Sequence, residues 1–560
     1  MPEVTQTKAV ITQAPEDPFT PSPSALPPTV TTTPPPPTST PRPTFTPTAI
    51  PDDLSITDEN IQLYPVPFIF SGDRVTFQIQ PHVPDSITVS DITVEIFLDN
   101  QTISNKTLGS RNLAGQAEGI FTWIWDTTGQ PGDHEIRVVL DGQDTIQEGD
   151  ENQSNNETSF IVEVRRAGER PLAERDATWV TAETDCCDVY ALTRTAAYRD
   201  LPELLEAVEM AVAQAAIRLH EEPDSRLDVF FIDRTIGQGG FAGSEMVATY
   251  VDRPYATGNL HELLVHEAVH VIDRQFAPQR TKFLAEGVAV WASGGHYKSE
   301  DLNERAAALL ELDRFIPLSQ LVEDFYPLQH EIGYLQAGAF VTYLIDQFGW
   351  PTFADFYSNT SADDATTEMQ ALDLNLQTYY NVSLSDIETE WLHYLQSLSP
   401  NANEVLDLET TIRFYDTIRR YQKLYDPSAH YLQAWLPHPH EVRKEGNPAD
   451  LTRHPQSEIN ITLEVMFQAV DASMKTSDYN RANVMLDSID RILDKSGAFS
   501  DPFSANYLQI VRTATDFGYQ VQEIDLQGDV ATVLATTSSG IHLTELELQR
   551  RRGDWILTSK

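Results

Sequence analysis

The stretch NLHELLVHEAVHVIDRQF (259–276) decides the reading of this chain. Apolar residues recur at Leu260, Leu263, Leu264, Val269 and Ile272, the spacing of a helix with one buried face. At about 100° per residue, His266 and His270 lie roughly 40° apart and one turn apart on a common face. Two imidazoles so placed can reach a single Zn²⁺ at about 2.0–2.1 Å. Glu267, beside them, is placed to hold a zinc-activated water and take its proton. At this chain's histidine and acid frequencies, chance supplies about 0.05 such patterns. A surface or core helix with two incidental histidines is the competing reading, and the surrounding text has to separate the two.

A catalytic zinc needs a third protein ligand and an open fourth position. Downstream, TKFLAEGVAVWASGG (281–295) carries a helical apolar stripe at Phe283, Leu284, Val288 and Trp291, with Glu286 as its one acid. A carboxylate in so apolar a helix is costly unless something pairs with it, and a zinc ion would serve. HEAVH followed by FLAEGVAVW resembles the gluzincin metallopeptidases, the thermolysin- and aminopeptidase-like zincins. It looks closest to the bacterial "peptidase MA-like" group. The resemblance runs over 174–400 and implies an α+β zincin-like peptidase domain, with His266, His270 and Glu286 as zinc ligands and Glu267 as general base. Fifteen residues (271–285) separate His270 from Glu286, fewer than in the best-known gluzincins. The metzincin pattern calls for glycine and then histidine or aspartate where this chain has Asp273 and Phe276, so it does not apply.

Around this pair, LDVFFIDR (227–234) reads as a buried strand. By resemblance, GGFAGSEM (239–246) is the edge strand on which peptide substrate would lie, by β-augmentation; an ordinary glycine-rich hairpin is the other reading. HEIGYLQAGAFVTYLIDQFG (330–349) reads as a helix ending at Gly349. Within it the resemblance offers Tyr334 as the donor to an oxyanion, and His330 as a second candidate; packing roles are open for both. SLSDIETEWLHYLQSL (383–398) resembles the closing helix of such domains, anchored by Trp391. His261 and Glu262 read as capping or surface groups. Asp273 reads as a solvated helix-end acid, with partnership to a ligand histidine as the alternative. Cys186 and Cys187 read as two small, partly buried thiols, with a vicinal disulfide or redox thiols as the alternatives.

The flanks are of other kinds. Fifteen of the 35 prolines fall in the first 51 residues, among threonine and serine. Residues 1–57 therefore read as a disordered Pro/Thr-rich stalk that cannot bury a core. A stalk implies an extracellular or cell-surface location, although residues 1–14 hold no export-signal core. Across 58–165, VTFQIQ, ITVEIFLD, IFTWIWD, HEIRVVLD and ETSFIVEV alternate like an immunoglobulin-like β-sandwich. Its ending, DENQSNNETSFIVEV (150–164), resembles CARDB, the cell-adhesion-related domain found in bacteria, and implies a spacer or adhesion module with envelope or surface partners. Asn155 and Asn156 read as satisfying turn backbone; calcium held by the Asp and Asn crowd is the other reading. Residues 405–560 read as helices followed by antiparallel strands, an α+β accessory module faintly like the SnoaL superfamily, with Gly553, Trp555 and Ile556 in its last strand.

The chain is thus expected to be multidomain. With 560 residues, 41% of them apolar, it can bury several cores. A net charge of −46 argues against nucleic acid and anionic membranes as partners, and no run of eighteen apolar residues is present to span a bilayer. Read together, the sequence describes a secreted or surface-tethered zinc metallopeptidase acting on peptide or protein substrates. The alternative is a catalytically inactive zincin-like adhesion or scaffold protein.

Overall fold

Alternating sequence builds the first layers. The computed structural model describes residues 52–560, apart from 238, 297, 446–447 and 538–539, with backbone alone at 172 and 173. The stalk expected over 1–57 lies outside the described residues as far as Pro51. From Asp52, however, the chain is already packed. Leu54 and Ile56 are buried, and Ser55 bridges His82. Their spacing puts both side chains on one face, so folding starts ahead of residue 58.

Nine strands follow: β1 (Ile61–Tyr64), β2 (Ile69–Phe70), β3 (Arg74–Ile79), β4 (Thr93–Leu98), β5 (Gln101–Thr107), β6 (Ser110–Arg111), β7 (Ala117–Asp126), β8 (Gly132–Leu140) and β9 (Glu157–Arg165). They form two sheets, ordered β1-β3-β7-β6 and β2-β9-β8-β4-β5. Inward residues of both, such as Phe77, Trp125, Ile96 and Val138, share one core, which makes a sandwich. A bulge in β7 gives Trp123 a φ of 50°. Its indole donates to Asp450 at 3.1 Å, far along the chain. Asn155 and Asn156 differ from expectation. Their side-chain amides donate to the carboxylates of Asp53 (2.9 Å) and Asp150 (2.8 Å), because the acids crowd closer than the turn backbone does.

The next sheet is mixed: β10 (Trp179–Glu183), β11 (Cys187–Leu192), β12 (Leu227–Ile232), β13 (Gly240–Ala242) and β14 (Met246–Thr249), in the order β10-β11-β12-β14-β13. Helix α1 (Leu201–Leu219) crosses from β11 to its parallel neighbour β12. The unbroken apolar run of β12 is explained by burial on both faces. Val229 and Phe231 pack into the helical core, whereas Phe230 and Ile232 pack beside Trp123 of the sandwich. At the β10–β11 connection Cys186 and Cys187 are joined as a vicinal disulfide, not free thiols, since the tight turn brings neighbouring sulfurs together.

Helices α2 (Leu260–Ile272), α3 (Lys282–Ser293), α4 (Leu302–Glu311), α5 (His330–Phe348) and α6 (Leu384–Ser397) complete that core, with Trp391 wholly buried. Helix α7 (Ala402–Tyr425) serves two cores. Leu408 and Ile412 pack on the first, while Phe414, Ile418 and Tyr421 pack on a second. The second core is closed by α8 (Glu458–Lys475), α9 (Tyr479–Asp494), α10 (Pro502–Asp516) and the antiparallel strands β15 (Tyr519–Gln527), β16 (Val530–Thr537), β17 (Thr544–Arg551) and β18 (Asp554–Ser559). Trp555 is buried there, while Ile556 faces outward. Asp52–Lys560 packs as one unit. We keep 58–165, 174–400 and 405–560 as proposed modules within it. Among the described residues no helix is long and apolar enough to cross a membrane.

Buried polar joints hold the parts together. Arg234 donates to the carbonyls of Ser428 (2.7 Å), Asp450 (2.8 Å) and Trp435 (3.0 Å), and Arg453 meets Asp73 of the sandwich at 2.7 Å. Asp426 lies in the same seam. Burial, reinforced by Glu464 and opposed by Ser428 and Arg234, raises its carboxyl from 3.8 to about 7. Between these values the folded chain holds a proton that the unfolded chain has released. Stability from this group is therefore full below about pH 4 and is lost as pH rises to about 7, at up to about 1.4 kcal/mol per unit. Urea unfolding of wild type and Asp426→Asn at pH 4.5 and 7.5 should show a pH dependence that the variant flattens.

Candidate metal centre and cleft

Two helices carry the groups that sequence reading singled out. Helix α2 buries Leu264, Val265, Ala268, Val269 and Ile272 against the core, which turns His266, Glu267 and His270 toward a cleft. Helix α3 follows an N-cap at Thr281 and is closed by Gly294, whose φ of +81° makes a left-handed cap. It brings Glu286 across to the histidine pair. The Nε2 atoms of His266 and His270 lie 3.1 Å apart, and Glu286 Oε2 lies 3.1 and 3.2 Å from them. A tetrahedral ion with ligands at about 2.0–2.1 Å sets its donors about 3.3 Å apart. The three atoms thus fit one face of such a tetrahedron, and they could hold a metal ion. Burial alone would raise the Glu286 carboxyl, but the two histidines overcome it and hold the group well below the usual range.

Glu267 is buried beside them. Its Oε2 has no hydrogen-bond partner among the described residues, and burial raises its pKa despite both histidines. Such an acceptor is kept basic enough to accept a proton and is already free to do so. Tyr334 reaches the same place from α5, its ring 6.1 Å from that of His266. Burial pushes its hydroxyl far above the usual tyrosine range, so it stays protonated and able to donate. His330 is buried with its ring 4.6 Å from Tyr334 and 4.0 Å from Tyr431, and burial keeps it neutral.

Other groups at the site carried no sequence signal. Tyr326, in the loop before α5, donates to Glu286 Oε1 at 2.9 Å and so fixes the carboxylate oxygen not engaged by the histidines. His296, just past the end of α3, stacks on Tyr334 at 4.5 Å. Tyr431, from the loop after α7, donates to the Tyr326 carbonyl at 2.6 Å. Asp273 corrects its expected role as a solvated acid. It is fully buried, accepts from the Tyr357 hydroxyl at 2.6 Å and pairs with Arg280 at 2.8 Å. Arg280 also donates to the His270 carbonyl at 3.1 Å, so this pair braces the end of α2. His261 bonds Gln214 at 2.9 Å, away from the metal-ligand set, and Glu262 is buried.

The cleft has a volume of about 640 Å³. Residues 239–246 are a hairpin, not one strand: β13 pairs antiparallel with β14. β13 is nevertheless the outer strand of the sheet, and Gly239–Ala242 line the cleft. Arg274 donates to the carbonyls of Ala242 (2.9 Å) and Gly243, which ties that edge to the end of α2. Gly240 must be glycine, since a Cβ there would stand 3.5 Å from Glu267 Oε1 and far closer to the Val247 carbonyl. Leu113 of the sandwich and Trp435 of the C-terminal part also reach the rim.

The CARDB family model matches the chain over residues 73–160. This segment is a CARDB domain. A CARDB domain from Pyrococcus furiosus, solved in complex with di-metal ions, is 22% identical, with TM-score 0.16, over 20% of this chain and 87% of that one. The solution structure of the same domain gives the same identity and score over 94% of its length. An aminopeptidase N family protein from Idiomarina loihiensis is 11% identical, with TM-score 0.27, over 62% of this chain and 77% of that one. No curated protein matches.

Proposed function

We propose that this protein is a zinc-dependent metallopeptidase, secreted or tethered to the cell surface, that hydrolyses peptide or protein substrates. The reading rests on one observation: three donor atoms 3.1–3.2 Å apart, on two different helices, beside a buried carboxylate oxygen that has no partner among the described residues. A carboxylate and two imidazoles are the donor set of catalytic zinc. Zn²⁺ held by His266, His270 and Glu286 would supply Lewis acidity, polarising the scissile carbonyl and making water a nucleophile near neutral pH.

The chain's own residues do the rest. Glu267 Oε2 takes a proton from the attacking water and passes it to the leaving amine. The Tyr334 hydroxyl donates to the oxyanion as the carbonyl carbon becomes tetrahedral. Tyr326 keeps Glu286 oriented, and the outer edge of β13 pairs with the substrate backbone. The surface location rests on the Thr/Pro-rich stretch and the CARDB domain.

Zinc per chain, measured by elemental analysis in wild type and Glu286→Ala, tests the centre. One zinc in wild type, lost or greatly weakened in the variant, is expected. No zinc in wild type after reconstitution would overturn the peptidase reading. A zinc-loaded wild type that cannot cleave a denatured protein would favour the inactive scaffold instead.

A further inference from the structure

Both helices that carry the metal-ligand set also carry a cation one turn away. Arg274 lies four residues past His270, in the single turn that continues α2, and Lys282 lies four residues before Glu286 at the start of α3. Four residues is about one helical turn, so each cation falls on the face that bears its neighbouring ligand. Both residues line the cleft, and both are exposed. The Arg274 guanidinium donates to the carbonyls of Ala242 (2.9 Å) and Gly243, at the end of the edge strand β13. Two of its five N–H groups are used there, and among the described residues the other three have no partner. The Lys282 ammonium stands 5.9 Å from the centre of the Tyr326 ring, and the Tyr326 hydroxyl in turn holds Glu286.

The charge lining the cleft is opposite to that of the chain. Acids outnumber bases by 84 to 38 over the sequence. Among the described residues that line the cleft, the acids are Glu267 and Glu286, both part of the candidate metal centre, whereas Arg274, Arg280 and Lys282 bring three cations. Arg280 is engaged by Asp273 at 2.8 Å, and Lys282 has a loose partner in Glu368 at 3.7 Å. Arg274 pairs with no carboxylate among the described residues. Partial burial and the nearby Arg280 hold its pKa below the usual arginine range, as expected of a cation short of counter-charge. An ammonium group entering the cleft would meet no uncommitted acid, while a carboxylate would meet two cations. The negative charge of the whole chain does not reverse this, because at about 0.15 M salt charges beyond roughly 8 Å are largely screened.

We propose that Arg274 and Lys282 form a carboxylate subsite beside the metal centre, so that the cleft selects peptides with an acidic group next to the bond held there. As a substrate class, this rests on the peptidase reading above. The guanidinium fork matches the two oxygens of a carboxylate, and charge-assisted bonds of this kind are stronger than neutral ones. A peptide strand paired along β13 has Arg274 at one end, because Ala242 is the last residue of that strand and Arg274 holds its carbonyl. The anion is an Asp or Glu side chain or the peptide's own C-terminal carboxylate, since one chemistry serves both. Arg274 and Lys282 set specificity: they touch the substrate's carboxylate, while proton transfer stays with Glu267.

The test is peptide binding, read by fluorescence anisotropy on the zinc-loaded full chain carrying Glu267→Gln, so that the probes stay whole. The probes are labelled peptides with amidated C-termini, identical except for one central residue, which is Glu, Gln or Lys. A further Gln peptide has a free C-terminus. At about 50 mM NaCl the Glu peptide, the free-C-terminus peptide or both should bind at least about tenfold tighter than the amidated Gln peptide, and the gap should narrow at about 500 mM. Which of the two gains identifies the source of the carboxylate. Arg274→Gln with Lys282→Gln should bring that ratio to about one and leave the amidated Gln peptide within about twofold, a split that mere loss of packing would not produce. Lys282→Gln alone should lose part of the preference, and it carries the test if the Arg274 change loosens β13. Equal affinity for all the peptides, no saturable binding of either carboxylate peptide, or a preference that survives the double substitution overturns the proposal. Hydrolysis of the same peptides by wild type tests the peptidase reading separately. Acid-selective binding without cleavage keeps the subsite and removes that reading; cleavage without acid-selective binding does the reverse.

Discussion

Glu267→Gln should lower hydrolysis of a denatured protein substrate by about 10²–10⁴-fold with zinc per chain unchanged. Glutamine keeps the shape of the side chain. It removes the acceptor oxygen that can take up a proton. In the structure that oxygen is buried, unpartnered and outside the ligand triangle, so the metal should not respond to the change. Elemental analysis and a quenched-fluorescence protein substrate, read on the same preparation, separate the two effects. Hydrolysis at the wild-type rate would remove Glu267 from the mechanism. Loss of zinc together with activity would show that Glu267 helps to build the centre and does more than move a proton.

The second large effect is one of packing. Gly287→Ala should destabilise the chain by up to about 2 kcal/mol and weaken zinc binding as well. Helices α3 and α5 approach closely at Gly287. A Cβ there would lie 2.7 Å from both the Ala337 carbonyl oxygen and Val341 Cγ2. Alanine gains about 1 kcal/mol of helix propensity over glycine. Overpacking against a backbone atom that cannot swing aside typically costs about 1–3 kcal/mol. The clash should win or at least cancel the gain, and the helices should separate. Glu286 is the adjacent residue, so the separation moves a ligand of the proposed centre. Thermal melting with and without zinc reads both consequences. An unchanged or higher Tm with full zinc content would show that the helices adjust freely and that the centre does not depend on their contact.

How much was legible without the structure depends on sequence distance. His266, Glu267 and His270 fall within a single helical turn, so periodicity alone aligned the two histidines. The double burial of β12 was legible as well, because an unbroken VFFI run has no polar face to give to solvent. Tyr326 and His296 had no such signature. They sit in loops 40 and 10 residues from Glu286, and loop residues show no period from which a direction can be read. Asp273 misled for a related reason. A charged residue at a helix end is normally solvated, and its partners Arg280 and Tyr357 arrive from elsewhere in the chain. The cysteines are the reverse case, adjacent in sequence yet undecided until the β10–β11 turn set their sulfurs together.

By itself, then, the sequence determined what local geometry can determine: the α2 histidine pair, the alternating strands of the CARDB domain and the apolar faces of the long helices. Only the tertiary structure decided that Glu286 meets that pair, that Tyr326 holds its other oxygen, and that β13 forms the wall of the cleft. Periodicity fixes directions within one element. The convergence of separate elements is set by which apolar surfaces and which buried polar groups find partners, and those choices are made by the whole core together.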